Sequence, residues 1–65
     1  MNLRLKELRL ENNFTQQYIA NVLNIKQNTY SQYESGLRQL PLEILVELSK
    51  FYNVSTDYIL GLGDF

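Results

Sequence analysis

Three side-chain amides, Gln27, Asn28 and Gln32, share one helical face with Ser31, and no apolar residue stands among them. An amide carries a donor and an acceptor side by side, the pattern that adenine presents through N6 and N7 in the major groove of DNA. Each such two-point match discriminates by about 1–3 kcal/mol. Lys26 and Arg38 flank the amides and suit phosphate oxygens, contacts that position a protein on a duplex without reading it. Taken alone, an amide-rich helix face is ordinary solvated surface. Its meaning depends on the element that carries it.

The chain has 65 residues, which is one domain spanning 1–65. At this length folding buries only about 60% of the surface of the unfolded chain, so stability is modest. There is no Cys and no His. Disulfides are therefore excluded, and structural zinc loses its thiolate and imidazole ligands, so neither a metal nor another cofactor is expected. The same absence removes the ordinary acid-base and thiol machinery of an enzyme. No two carboxylates converge on a plausible pocket, and an enzyme is not expected. No stretch reaches the roughly 20 apolar residues of a membrane span, and the N-terminus lacks the apolar core of a signal peptide. A cytoplasmic protein is the expectation.

Net charge is −1, against the basic balance usual for a nucleic-acid partner. The distribution is more informative. Residues 1–40 set Arg4, Lys6, Arg9, Lys26 and Arg38 against Glu7, Glu11 and Glu34, a balance of +2. Residues 41–65 set Lys50 against Glu43, Glu47, Asp57 and Asp64, a balance of −3. Any surface for an anionic partner belongs to the first two-thirds of the chain.

Helical periodicity runs throughout, with no strand-like alternation. A first helix spans about 3–12, with Leu5, Leu8, Arg9 and Asn12 on one face, and stops near Asn13. Thr15 caps a second helix of about 15–23, whose inward residues are Ile19, Ala20 and Leu23. Asn24 turns the chain, Ile25 plugs the corner, and a third helix of about 27–35 sends Tyr30 and Tyr33 inward before Gly36 ends it. Pro41 suits the first position of a fourth helix, about 41–52, carrying Leu45, Leu48, Ser49 and Tyr52 at i, i+3, i+4 and i+7. Asn53 closes that helix, Val54 packs the corner, and Ser55 caps a short fifth helix of about 56–60. Tyr30, Tyr33, Tyr52 and Tyr58 read as core packing rather than as stacking platforms for bases. The fold class is all-α, five short helices.

The segment from Thr15 to Glu34 has the dimensions of a helix-turn-helix: about nine residues, a turn of about three, then about eight. Ala20 supplies the small residue where the two helices cross, and Ile25 the apolar residue inside the turn. Three stretches are then specific. They are Thr15-Gln16-Gln17-Tyr18-Ile19-Ala20, Asn28-Thr29-Tyr30-Ser31-Gln32-Tyr33-Glu34-Ser35-Gly36, and Asn53-Val54-Ser55-Thr56-Asp57-Tyr58-Ile59-Leu60-Gly61. In order and spacing the chain resembles the lambda-repressor and Cro-type family, also called the xenobiotic-response-element type.

That resemblance implies a compact lambda-repressor-like domain in which the third helix enters the major groove of double-stranded DNA. Gln27, Asn28 and Gln32 take the place of the base-reading residues. Gln16 takes the place of the glutamine that bonds a phosphate and buttresses the recognition helix. Ser35, Arg38 and Gln39 follow that helix where the family touches the backbone, and Gln17, Lys26, Thr29 and Ser31 complete the backbone-contacting set. Arg9 and Glu34 correspond to a structural ion pair. Lys26 stands where the family usually places a capping Ser or Thr, a cap worth roughly 1 kcal/mol.

A homodimer on a pseudo-palindromic operator is the implied assembly, acting most commonly as a repressor. Ile59, Leu62 and Phe65 are candidate dimer contacts; Ile59 and Leu60 also suit the core. For Leu62 and Phe65 a dimer seam, docking onto further sequence and a frayed terminus all remain open. A second function class keeps the fold without strong DNA affinity: a protein-interaction module, antirepressor or antitoxin-like. The acidic C-terminal third favours it slightly.

Overall fold

The computed structural model describes residues 3–62. Among them lie five helices: α1 (Leu5–Glu11), α2 (Gln16–Leu23), α3 (Gln27–Ser35), α4 (Leu42–Tyr52) and α5 (Thr56–Ile59). The architecture is all-α, with α2 and α3 forming the helix-turn-helix.

Local chemistry explains most of the boundaries. The Thr15 hydroxyl accepts a 3.0 Å bond from the Tyr18 amide, and Ser55 does the same for Tyr58 at 3.0 Å. These side-chain caps satisfy donors that a helix start otherwise leaves orphaned. Asn13, Asn24 and Asn53 adopt φ of 59°, 58° and 57°, and each reverses the chain just past a helix. Asn tolerates this left-handed region because its short polar side chain bonds locally. Gly36, with φ 84°, does the same after α3.

Two helix starts depart from the sequence reading. The first helix begins at Leu5 rather than near residue 3: Arg4 is its N-cap, with φ −90° and ψ 23°, and the Arg4 amide is bonded across the fold. It donates to the Ile59 carbonyl at 2.9 Å, tying the entry of α1 to the end of α5. Pro41 stands just outside α4 as its N-cap, with extended ψ of 148°, instead of being its first residue.

Every helix contributes to one core. Leu5 and Leu8 come from α1, Ile19, Ala20 and Leu23 from α2, Tyr30 and Tyr33 from α3, Leu45 and Leu48 from α4, and Ile59 from α5. Ile25 and Val54 pack against it from the two interhelix corners. Ala20 has no exposed surface, and its carbonyl accepts the Ile25 amide at 2.9 Å. A larger side chain there would push α3 away from α2. The tyrosines pack as helical spacing implies: Tyr30 and Tyr33 are buried, and Tyr52 and Tyr58 are half-buried.

Ile59 is fully buried in this core. It therefore has no surface to offer a second copy, which corrects its place among the dimer contacts. Leu62 is exposed, and Phe65 lies outside the described residues.

Candidate nucleic-acid interface

The packing of α3 divides it by chemistry. Tyr30 and Tyr33 anchor one side in the core, which turns the amides the other way: Gln27 and Asn28 are exposed, while Ser31 and Gln32 are half-buried. A helix held by two buried aromatics on one side and bare of apolar groups on the other is a rigid mount for polar side chains.

Orientation is set from behind by an ion pair. The Arg9 guanidinium grips the Glu34 carboxylate as a fork, Nε to Oε2 at 2.9 Å and Nη2 to Oε1 at 2.9 Å. Its remaining arm, Nη1, donates to the Phe14 carbonyl at 3.1 Å. One arginine thus joins α1, the loop before α2 and the end of α3. The pair is buried, with side-chain exposures of 11% for Arg9 and 5% for Glu34. Gln16, in the first turn of α2, donates from Nε2 to Glu34 Oε1 at 3.2 Å. Gln16 is thereby braced against the end of α3.

Burial by itself raises the pKa of Glu34, but the contacts of Arg9, Tyr30 and Gln16 and the charge of Arg9 outweigh it and hold the carboxyl below its usual range. The hydrogen bond to Glu34 raises the pKa of Arg9 against the cost of burial. Tyr52 is pushed up to about 12, first by burial and then by the Glu34 charge. Tyr30 is pushed up further, first by burial and then by the Glu34 carboxylate against its hydroxyl. The Tyr52 hydroxyl is buried without a hydrogen-bond partner among the described residues. The neutral phenol is the form this interior tolerates.

The remaining candidates differ in exposure and in their bonds. Lys26 is exposed at the N-cap of α3, and its side chain makes no capping bond. Thr29 is half-buried, and Ser35 and Gln39 are exposed. Gln17 is exposed and turned along its own helix, donating to Asn21 Oδ1 at 2.8 Å. Arg38 is not an isolated cation: its Nε donates to Gln32 Oε1 at 2.9 Å.

A hollow between α1, α2 and α3 is lined by Lys6, Gln16, Ser31, Glu34 and Ser35. Lys6 joins this lining without being among the candidates named from the sequence. It stands one turn before Arg9 on α1, so the Arg9–Glu34 pairing already implied that it approaches α3.

With this geometry in place, comparison with known proteins is decisive for the family. The pattern that defines the helix-turn-helix family matches residues 5–59. The chain belongs to this family. It is 48% identical over 58 residues to the HTH-type transcriptional regulator ImmR of Bacillus subtilis (strain 168), covering 89% of this chain and 46% of that protein. It is 45% identical over 62 residues to the HTH-type transcriptional regulator AnsR of the same organism, covering 94% and 53%. Against the cryptic phage CTXphi transcriptional repressor RstR of Vibrio cholerae it is 37% identical over 51 residues, covering 78% and 46%. The chain spans about half the length of the curated relatives it matches. No solved structure matches it. Among the described residues, no helix is long and apolar enough to cross a membrane.

Proposed function

We propose that this helix-turn-helix chain is the DNA-binding part of a sequence-specific transcriptional regulator of the lambda-repressor and Cro type. In this reading α3 lies in the major groove, with Gln27, Asn28 and Gln32 against base edges. Gln16, Lys26, Ser31, Ser35, Arg38 and Gln39 meet phosphates, joined by Thr29, Gln17 and Lys6. The observation that carries the reading is the division of α3 into a buried tyrosine side and an accessible amide side, braced through Glu34. A repressor role draws support from the name of the phage relative.

A homodimer would set two α3 helices in successive major grooves, about 34 Å apart on a pseudo-palindromic site. Leu62, 69% exposed, is the dimer candidate among the described residues, and Leu37 and Leu42 are exposed further still, at 82% and 73%.

Selection of bound duplexes from a random pool tests the proposal directly. A pseudo-palindromic site is the expected product. Gln27→Ala and Asn28→Ala should each flatten one position of it, by about 1–3 kcal/mol of discrimination. Equal, sequence-blind losses would remove the base-reading role. The acidic balance of residues 41–65 favours a second reading, a protein-interaction module with weak affinity for DNA. Salt separates the two, since phosphate contacts make log K fall with log salt by about 0.9 per contact.

A further inference from the structure

We propose that Arg38 is a specificity-determining positioning residue, which aims the side-chain amide of Gln32 so that this glutamine reads a base edge bearing acceptors, guanine or thymine, rather than adenine. The inference rests on the DNA-binding reading above and deepens it.

Two bonds join the same pair of residues. Past the left-handed Gly36, the chain folds back over the end of α3, and the Arg38 amide donates to the Gln32 backbone carbonyl at 3.2 Å. The Arg38 side chain then donates from Nε to Gln32 Oε1 at 2.9 Å. The backbone bond fixes where the arginine starts, so the side-chain bond closes a short loop between two tethered points.

Chemistry decides which end of the amide faces the arginine. A guanidinium has donors only, so its partner must be the amide oxygen. The Gln32 NH2 group is left directed elsewhere, and it donates to no protein acceptor among the described residues. An unconstrained glutamine matches adenine by accepting from N6 while donating to N7. Here one lone pair of Oε1 is taken, and a positive guanidinium stands beside the oxygen that the adenine amino group would have to approach. That amino group is itself a donor and carries partial positive charge. The O6 and N7 of guanine, or the O4 of thymine, meet the exposed NH2 group instead.

The remaining nitrogens of Arg38, Nη1 and Nη2, make no bond to protein among the described residues. They can take a phosphate through the geometry in which arginine exceeds lysine. Arg38 thus couples a backbone contact to the aim of a base reader, two roles that its sequence position would keep separate.

The test is duplex selection with the wild-type chain and with Gln32→Ala, Arg38→Ala, Arg38→Lys and the Gln32→Ala/Arg38→Ala double variant, together with the salt dependence of binding. Arg38 is exposed, and thermal unfolding of each variant verifies that folding is intact. The wild type should select guanine or thymine at the position that Gln32→Ala erases. Arg38→Ala should admit adenine there by about threefold to tenfold, the worth of one hydrogen bond. Arg38→Lys should relax the same position while keeping the salt slope, because it retains the charge and loses the fork. In the Gln32→Ala background, removing Arg38 should leave base preference unchanged. Adenine selected by the wild type at that position, or an Arg38→Ala loss shared by all sequences with the profile intact, overturns this proposal and leaves DNA recognition standing. A wild-type chain that selects no sequence and shows no salt slope overturns both.

Discussion

Arg9 and Glu34, 25 residues apart in the chain, meet through two parallel bonds of 2.9 Å that close α1 against the end of α3. With Glu34 at 5% side-chain exposure, solvent cannot take over if the arginine is removed. Truncating one member of such a pair costs about 3–5 kcal/mol, because the other charge is left buried and alone. A domain of this size holds roughly 3–10 kcal/mol in total. Arg9→Ala should therefore be largely or wholly unfolded in urea titrations, while Arg9→Met combined with Glu34→Leu should recover most of the loss. If Arg9→Ala costs less than about 1 kcal/mol, the pair behaves as a solvated surface contact.

The same pair gives the domain a pH dependence of definite sign. Against the cost of burial, the contacts of Arg9, Tyr30 and Gln16 hold the native Glu34 pKa below its ordinary value. The unfolded chain therefore takes up this proton first as pH falls. Stability from Glu34 is full above about pH 4.3, the unfolded value, and declines as pH drops through the lower native pKa. The urea midpoint should fall over that window in the wild type. Glu34→Gln should be less stable at neutral pH and flatter in acid. An equally steep acid loss in Glu34→Gln would assign the dependence to other carboxylates.

Asn24 carries the turn between α2 and α3 at φ 58° and ψ 43°. A Cβ-bearing residue without a local polar group pays about 1–2 kcal/mol to stay there. Asn24→Ala should lower stability by about that amount, whereas Asn24→Gly should be close to neutral. Equal stability of the two variants, by thermal or urea unfolding, would show that the left-handed turn is not held in solution.

The helix-turn-helix was legible in the sequence because each of its parts is a local requirement. Thr15 must cap, Ala20 must be small, Ile25 must plug and Gly36 must turn, and each choice restricts the residue type on its own. What could not be read depends on contacts between distant segments. Nothing near residue 3 signals that the Arg4 amide is used by Ile59 at the entry of α1. In sequence Ile59 suits either the core or a second copy, because an apolar tail residue has the same pattern whether it faces the core or solvent. The joining of Arg38 to Gln32 was invisible for a related reason, since it depends on how the chain returns after Gly36. The place of Lys6 beside α3 follows only from Arg9 on the same helix, and no motif includes it.

Lys26 is where stability and binding should pull in opposite directions. It occupies the N-cap of α3 with the extended φ −75° and ψ 147° of a capping residue, yet its side chain makes no capping bond. Thr15 and Ser55 show what is missing, each accepting a 3.0 Å bond from the amide three residues on. A lysine there also sets a positive charge against the positive end of the helix dipole. Lys26→Ser should add about 1 kcal/mol to stability, a rise of about 4–8 °C in Tm for a domain of this size. The same positive helix end attracts phosphate, and the ammonium adds to that attraction. Lys26→Ser should accordingly weaken binding to every duplex alike and make the salt slope shallower by about 0.9. A variant that gains stability and keeps its full salt slope would take Lys26 out of the backbone contacts. One that gains no stability would show that the first turn of α3 already finds its partners elsewhere.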